Sequence, residues 1–203
     1  MNLTLPNEFR SLSSSFASKI PKAFIDTTVL CGSLRKPEGV NDHIIMLARA
    51  NFLFTPVFSK VCLLEFMRTA QEGLGKITFS HSEIERYLNG MIYPILDNNP
   101  AVNSVVGRYN IQTIIKENRA IGDVLVELSG CTEEEADHIV ASQEMNEPLY
   151  KFDQNDFHVW VTAIQTQCDF IVTSNSKRFP ERIGNIQRIH SLDFYNMIIG
   201  EDE

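Results

Sequence analysis

Basic residues are in short supply in this chain of 203 residues. Lysine and arginine together number 18 against 26 aspartates and glutamates, which leaves a formal net charge of −8. Because non-specific binding to phosphate backbones needs clustered basic side chains, the composition argues against a protein that coats nucleic acid. It leaves open a carboxylate site that attracts phosphate only when it holds a divalent cation.

Cysteine is scarce, and the spacing of the cysteines indicates neither a disulfide nor a zinc site. Cys31, Cys62, Cys131 and Cys168 form no CxxC pair. They indicate reduced, mostly buried thiols of a cytosolic protein rather than disulfides or a zinc site. The five histidines show no metal-ligand spacing such as HExxH. The segment "GLGK" lacks the spacing of a phosphate-binding loop, and we interpret it as a helix end.

Long hydrophobic runs are also missing. No apolar stretch approaches the ~18 residues of a membrane span, and residues 1–22 lack the basic segment and apolar core of a signal peptide. The sequence therefore predicts a cytoplasmic protein with no membrane partner. With 43% hydrophobic and 22% charged residues, its composition is typical of a globular domain with a sizeable core.

Short apolar runs, which predict strands, alternate with segments whose apolar residues recur at helical spacing. The predicted strands are 23–30, 52–56, 170–173 and 186–190. Few strands adjoin directly, an order typical of an α/β fold of three layers. We therefore expect a Rossmann-like central sheet, mostly parallel, flanked by helices.

The domain organisation follows from the same pattern. A helix-rich middle segment, about 80–146, predicts a helical insertion between the second and third strands of one domain at 23–199. The serine-rich residues 1–22 predict an N-terminal arm, and 200–203 form an acidic tail.

Asp26 is a carboxylate in apolar surroundings. It follows Phe24 and Ile25 toward the end of the first predicted strand. A lone buried carboxylate is costly unless it is hydrogen-bonded, paired or metal-bound. Open α/β sheets hold their sites at the carboxyl ends of strands, so Asp26 is a candidate site residue. The alternative is a carboxylate that caps the next turn.

Glu65 has apolar neighbours on both sides in "VCLLEFM". We predict a helix whose core stripe is Val61, Leu64 and Met67, with Glu65 at the edge of the stripe. Since that helix is apolar around most of its circumference, Glu65 has little water to face. The alternative is an exposed glutamate that pairs with Arg68.

Two more aspartates precede a predicted helix. Its apolar positions, spaced at i, i+3, i+4, i+7 and i+11, are Phe157, Trp160, Val161, Ile164 and Cys168. Asp153 as N-cap and Asp156 in the first turn would satisfy free amides and the helix dipole. They could equally be metal ligands that face the loop after the next strand.

That loop contains Thr173 and Asn175, which the strand at 170–173 brings to the same sheet edge as Asp26. Asn175 offers a carbonyl oxygen, although asparagine after a strand is also an ordinary turn residue. Combined with the carboxylates, these side chains predict an oxygen-rich pocket of the kind that Mg²⁺ and Mn²⁺ favour. Such an ion can polarise a phosphodiester and acidify an attacking water.

These segments resemble the motifs of the PIN domain family, the fold of VapC-like toxin ribonucleases. "FIDTTVL" is similar to its first motif, an apolar strand that ends in Asp, and "VCLLEFMR" to its second, a Glu on the helix after the second strand. "DQNDFHVWVTAIQTQCDFIVTSNSKRF" resembles one branch that reads Asp-x-x-Asp-Arg-His-Val and then Val-Thr-x-Asn. The resemblance covers about 23–70 and 150–198.

The resemblance assigns roles residue by residue. The implied catalytic residues are Asp26, Glu65, Asp156 and Asn175. The implied ligands of Mg²⁺ or Mn²⁺ are Asp26, Glu65, Asp156 and, as an extra ligand, Asp153. The implied substrate contacts are Thr173, Arg35, Lys177 and Arg178.

The implied activity is metal-dependent hydrolysis of RNA phosphodiester bonds by an endoribonuclease, the toxin of a toxin–antitoxin pair. An antitoxin protein would then cover the site, and self-association as a homodimer is common in the family. Two departures keep alternatives open. Phe157 stands where the branch has Arg, and Asn175 replaces an acid found in many relatives. The alternatives are a weakly active or inactive scaffold that binds nucleic acid or protein, and a DNA-directed nuclease.

Overall fold

The computed structural model describes most of the α/β body of the chain. The described residues are 20–102, 120, 122–123, 126, 132–134, 136–137, 157–175, 181–183 and 185–200. Most of the predicted N-terminal arm and acidic tail, and most of the middle segment, lie outside them, so these domain boundaries remain predictions.

The described residues form a sheet with strand order β2-β1-β3-β5-β4. Its strands are β1 Lys22–Ile25, β2 Thr55–Val57, β3 Phe170–Thr173, β4 Arg182–Ile183 and β5 Ile186–His190. Every neighbouring pair is parallel except β4 and β5. The predicted α/β fold, with a mostly parallel sheet flanked by helices, is confirmed. The short antiparallel β4 was not predicted.

Helices connect the parallel strands and flank them. They are α1 Thr27–Arg35, α2 Val40–Ala50, α3 Lys60–Glu72, α4 His81–Tyr87, a π-helical turn at Leu88–Ile92, α5 Tyr93–Leu96, α6 Phe157–Gln165 and α7 Ser191–Ile199. The middle segment thus begins as helix, in agreement with the sequence. Among these described helices, none is long and apolar enough to cross a membrane.

The first predicted strand is shorter than its apolar run. β1 ends at Ile25, and the rest of the run, from Thr27, is α1. The change occurs at Asp26, whose side chain accepts a hydrogen bond from the Thr28 amide and so caps the helix. Asp26 therefore lies at the junction where strand becomes helix, and the cap that the sequence offered as an alternative is present.

The second predicted strand is displaced toward the C-terminus. β2 is Thr55–Val57, whereas Phe52 is 57% exposed. Pro56 does not stop the strand, because β2 lies at the edge of the sheet, where one residue without an amide hydrogen is tolerated.

The core stripe predicted for α3 is wrong. Its buried residues are Cys62, Phe66 and Ala70, while Leu64 is 62% exposed. The helix is apolar on several sides, so composition alone did not show which line along it packs inward. Glu65 lies beside the observed buried line, because it stands three residues after Cys62.

Aromatic side chains fill the core between the sheet and α7. Phe194 of α7 meets Phe54 edge-on, with ring centroids 5.1 Å apart, and meets Phe170 of β3 at 5.9 Å. Edge-to-face pairs of this kind add about 0.5–1.5 kcal/mol beyond burial. This packing fixes the start of β3, and hence the position at which Thr173 leaves the sheet.

Candidate active site

Asp26 is held at the carboxyl end of β1 by two threonine hydroxyls. Its Oδ2 atom accepts from Thr28 Oγ1 at 2.6 Å and from Thr173 Oγ1 at 2.8 Å, and the side chain is only slightly exposed. All hydrogen bonds that the described residues give to the Asp26 carboxylate end on Oδ2. The carboxylate is thereby fixed in one orientation, and Oδ1 is left for another ligand.

Thr173 is fully buried at the end of β3 and has more than one contact. Its hydroxyl donates to Asp26 and accepts from the Asn175 amide at 3.0 Å. Ser174 extends the same network, since its amide donates to Thr28 Oγ1 at 2.9 Å. Hydroxyl groups therefore tie the loop after β3 to the first turn of α1, and the half-buried Asn175 is carried to this edge.

Glu65 faces the same turn of α1 from α3. Its Oε2 atom accepts from Thr27 Oγ1 at 2.9 Å. The same oxygen lies 3.3 Å from His158 Nε2 of α6. Arg68 instead contacts Glu72, at 3.9 Å on the exposed side of α3. Glu65 is therefore directed into the molecule, as the functional interpretation of the sequence required.

The pKa of Glu65 is lowered, although burial alone would raise it. The close contact with His158 and its charge, followed by the Thr27 hydroxyl and the charge of Arg68, outweigh the burial. Glu65 is thus ready to act as an ionised oxygen donor near neutral pH.

Asp26 and Glu65 are hydrogen-bonded to adjacent residues of α1. Thr28 binds Asp26 and Thr27 binds Glu65, so the two carboxylates meet the same helical turn. A parallel sheet brings strand ends together in this way, and the carboxyl edge is where open α/β folds bind ligands. The donor set suits a hard divalent cation, since it consists of carboxylate and hydroxyl oxygens.

The other predicted site residues divide into two groups. Asp153, Asp156, Lys177 and Arg178 lie outside the described residues, so their roles remain predictions. Arg35 is exposed at the last position of α1, about 13 Å along the helix axis from Asp26. The structure therefore brings Asp26, Glu65, Thr173 and Asn175 to one edge and places Arg35 at the far end of α1.

No metal-ligand spacing in the sequence pointed to His158. It is 3% exposed, and its Nδ1 atom lies 3.5 Å from the hydroxyl of Ser59, the N-cap of α3. Sequence reasoning also missed Cys62, which with Glu65 and His158 forms a group whose ligand atoms all lie within 4.8 Å of one another. Glu65 at i+3 from Cys62 was the visible part of this signal. Glu65 and His158 are far apart in the chain, and this separation concealed the rest.

The mostly parallel sheet has an aspartate at the end of its first strand and a glutamate turned toward the same edge. These features define the class as an α/β protein whose candidate site is built from carboxylates. The family comparison names the class. A PIN domain model matches residues 22–177, and the chain belongs to the PIN domain family.

Comparison with solved structures gives a distant likeness. The chain is similar to a chain in the crystal structure of VapBC2 from Rickettsia felis, in which the VapBC2 proteins are bound to a DNA fragment from their promoter. The two share 16% identity over 83% of this chain and 98% of that chain, with a TM-score of 0.47. No curated protein sequence matches this chain.

Proposed function

We propose that this protein is a divalent-cation-dependent endoribonuclease that hydrolyses RNA phosphodiester bonds. One observation carries the proposal: Asp26 and Glu65 are bound to consecutive threonine hydroxyls, in the first turn of α1, at the carboxyl edge of a parallel sheet. Membership of the PIN domain family supports the same conclusion, because metal-dependent nucleases are common in it.

Asp26 and Glu65 would hold Mg²⁺ or Mn²⁺, and Asp156 and Asp153 would add ligands from the segment before α6. When bound, the ion would polarise the phosphodiester and lower the pKa of an attacking water. Thr28 and Thr173 orient the Asp26 carboxylate, and the His158 contact keeps Glu65 ionised. Asn175 would position water or substrate at the edge of this site.

RNA must approach a chain whose net charge is −8. We propose that a local basic rim offsets this repulsion, with Lys177 and Arg178 beside Asn175 and with Arg35 as a contact for a more distant phosphate. The choice of RNA over DNA rests on the family resemblance.

The same resemblance supports a toxin–antitoxin setting. A cytoplasmic antitoxin protein would then cover the site, and the toxin would form a homodimer. These partners go beyond the nuclease proposal and do not affect its test.

The test compares Mn²⁺-dependent cleavage of an RNA pool by the wild type and by Asp26→Asn. We expect cleavage to fall at least a hundredfold, because asparagine keeps the size of the side chain but loses the charge that binds the cation. Asp169→Asn is the matched control. Asp169 is half-buried and, like Asp26, hydrogen-bonded, in its case to the Lys22 amide at 2.7 Å, but it lies at the opposite edge of the sheet.

Equal cleavage by wild type and Asp26→Asn would remove Asp26 from the mechanism. No cleavage by wild type, together with no stabilisation by Mn²⁺, would favour the scaffold alternative, because a ligated site gains RT ln(1 + [L]/Kd) in stability. Faster cleavage of a matched DNA oligonucleotide would favour the DNA-directed nuclease.

A further inference from the structure

Glu65 belongs to a second group of side chains, in which Cys62 has no role in the proposed nuclease site. Cys62 and Glu65 stand one turn apart on α3, and His158 faces them from α6. The sulfur, a carboxylate oxygen and an imidazole nitrogen all lie within 4.8 Å of one another. These are three different ligand types, and they converge from two helices.

His158 supplies a second, independent observation. It is 97% buried, yet its Nε2 atom has no partner of hydrogen-bond geometry among the described residues. That atom points toward Glu65 Oε2, 3.3 Å away. A buried nitrogen that lacks a well-formed hydrogen bond is costly, and a cation is one of the partners that can satisfy it.

The spacing of these atoms suits a tetrahedral ion. Zinc binds histidine nitrogen and carboxylate oxygen at about 2.0 Å, so two such ligands of one tetrahedral ion lie about 3.3 Å apart. His158 Nε2 and Glu65 Oε2 already have this separation. The Cys62 sulfur lies within 4.8 Å of both and would move toward them to bind the ion at about 2.3 Å.

We propose that Cys62, Glu65 and His158 form a site for Zn²⁺ or a similarly soft divalent cation. Thiolate and imidazole ligands select such ions over Mg²⁺ and Mn²⁺, which prefer oxygen. A fourth position, open on the side of the half-exposed Glu65, would take water.

Burial raises the pKa of the Cys62 thiol, and the charges of Asp26 and Glu65 raise it further. Without a cation the thiol is therefore neutral at physiological pH, and a coordinated cation displaces its proton. Resting as a neutral thiol is consistent with its full burial.

One consequence rests on the proposed function. Glu65 is common to both sites, so Zn²⁺ bound with Cys62 and His158 takes this carboxylate from Mg²⁺ or Mn²⁺. Zinc would then inhibit the nuclease by competition for Glu65.

The test titrates the full-length, metal-free protein with Co²⁺ and Zn²⁺ in the absence of RNA. Co²⁺ bound to a thiolate gives a near-ultraviolet charge-transfer band, and Zn²⁺ affinity is measured by competition with a chromophoric chelator. We expect one equivalent of Co²⁺ to produce the band in the wild type. Cys62→Ser should abolish the band and weaken Zn²⁺ binding at least tenfold. His158→Gln should weaken Zn²⁺ binding by a similar factor.

Cys168→Ser is the matched control, since Cys168 is also buried but contacts Thr166 near the other end of β3. It should bind both ions as the wild type does. Absence of the band in the wild type, or equal Zn²⁺ affinity in Cys62→Ser, would overturn the proposal.

The same titrations separate this proposal from the nuclease proposal, because they require no cleavage. If RNA is cleaved, Zn²⁺ should inhibit the wild type at concentrations at least tenfold lower than those needed for Cys62→Ser, each normalised to its own activity. Equal inhibition of the two would count against the shared use of Glu65.

Discussion

At the residue scale, threonine hydroxyl groups hold both carboxylates of the candidate site in place. Thr28 and Thr173 both donate to one oxygen of Asp26, and Thr27 donates to Glu65. Hydrogen bonds to a charged acceptor are worth about 1.5–3 kcal/mol, more than those between neutral groups. Each carboxylate is thereby fixed in place before any ligand arrives.

Thr173→Val tests this role of the hydroxyl groups. Valine has the same shape but cannot donate, so the buried Asp26 loses a partner, and we expect the free energy of unfolding to fall by about 1.5–3 kcal/mol. Urea denaturation measures the change. In Thr162→Val, the control, another fully buried threonine loses only a bond to the neutral carbonyl of His158, so we expect the smaller loss of about 1 kcal/mol. Losses of equal size would show that the charge on Asp26 is unimportant to Thr173.

Asp26 and Glu65 could be predicted from the sequence because each is an acid inside an apolar run. The inward orientation of Glu65 agrees with its apolar neighbours in the sequence, although its helix was given the wrong buried stripe. The His158 contact could not be predicted in the same way. An imidazole beside a carboxylate is a matter of how α6 packs against α3, and no local pattern encodes that packing.

At the element scale, the close approach of α1 and α2 depends on Gly32. A methyl group on Gly32 would lie 1.9 Å from Nδ2 of Asn41 and 3.2 Å from its Cβ. Asn41 also contacts the Ser174 hydroxyl in the loop after β3, at 3.3 Å. The glycine therefore lets α2 reach the loop that carries Asn175.

We expect Gly32→Ala to destabilise the protein by about 1–3 kcal/mol, since overpacking outweighs the gain of about 1 kcal/mol in helix propensity. Thermal unfolding measures the effect, and the double variant with Asn41→Ala should recover part of the loss. Gly90→Ala is the matched control, because a methyl group there meets nothing within 4 Å. If Gly32→Ala were as stable as Gly90→Ala, the close helix contact would be unimportant.

The elements themselves could be predicted best where caps and periodicity agree. α3 ends at its C-cap Gly73, in the segment "GLGK" that the sequence indicated as a helix end, and β5 has the predicted limits. The two-residue β4 could not be predicted, since a strand this short has no periodicity and depends on pairing with β5. β2 was displaced because Pro56 resembles a strand terminator until its edge position is known.

At the scale of the whole molecule, the described thiols are protected by the core. Burial raises the pKa of Cys31 to about 12 and that of Cys168 to about 11, and it raises the pKa of Cys62 as well. Because the thiolate is the reactive form, these cysteines should be nearly inert near neutral pH.

In a Cys131→Ser background, we expect native protein at pH 8 to react with a thiol reagent at least tenfold more slowly than protein in denaturant. Raising the pH to 9 should accelerate the native reaction little, because folding holds these groups protonated well above their ordinary pKa of 9.0. Absorbance of the released chromophore follows the reaction. Rapid labelling of the native protein at pH 8 would contradict the buried, protonated state.

Pro56 also governs how two copies of this chain can meet. Thr55 donates its amide inward, to the Pro21 carbonyl at 2.8 Å. Since amides alternate in direction along a strand, the next one would face outward, and there a proline has no hydrogen to offer. The outer border of β2 is therefore a poor template for a foreign strand. Strand addition by a second copy along this border of β2 is thereby disfavoured, which makes the border a poor starting point for fibrous growth.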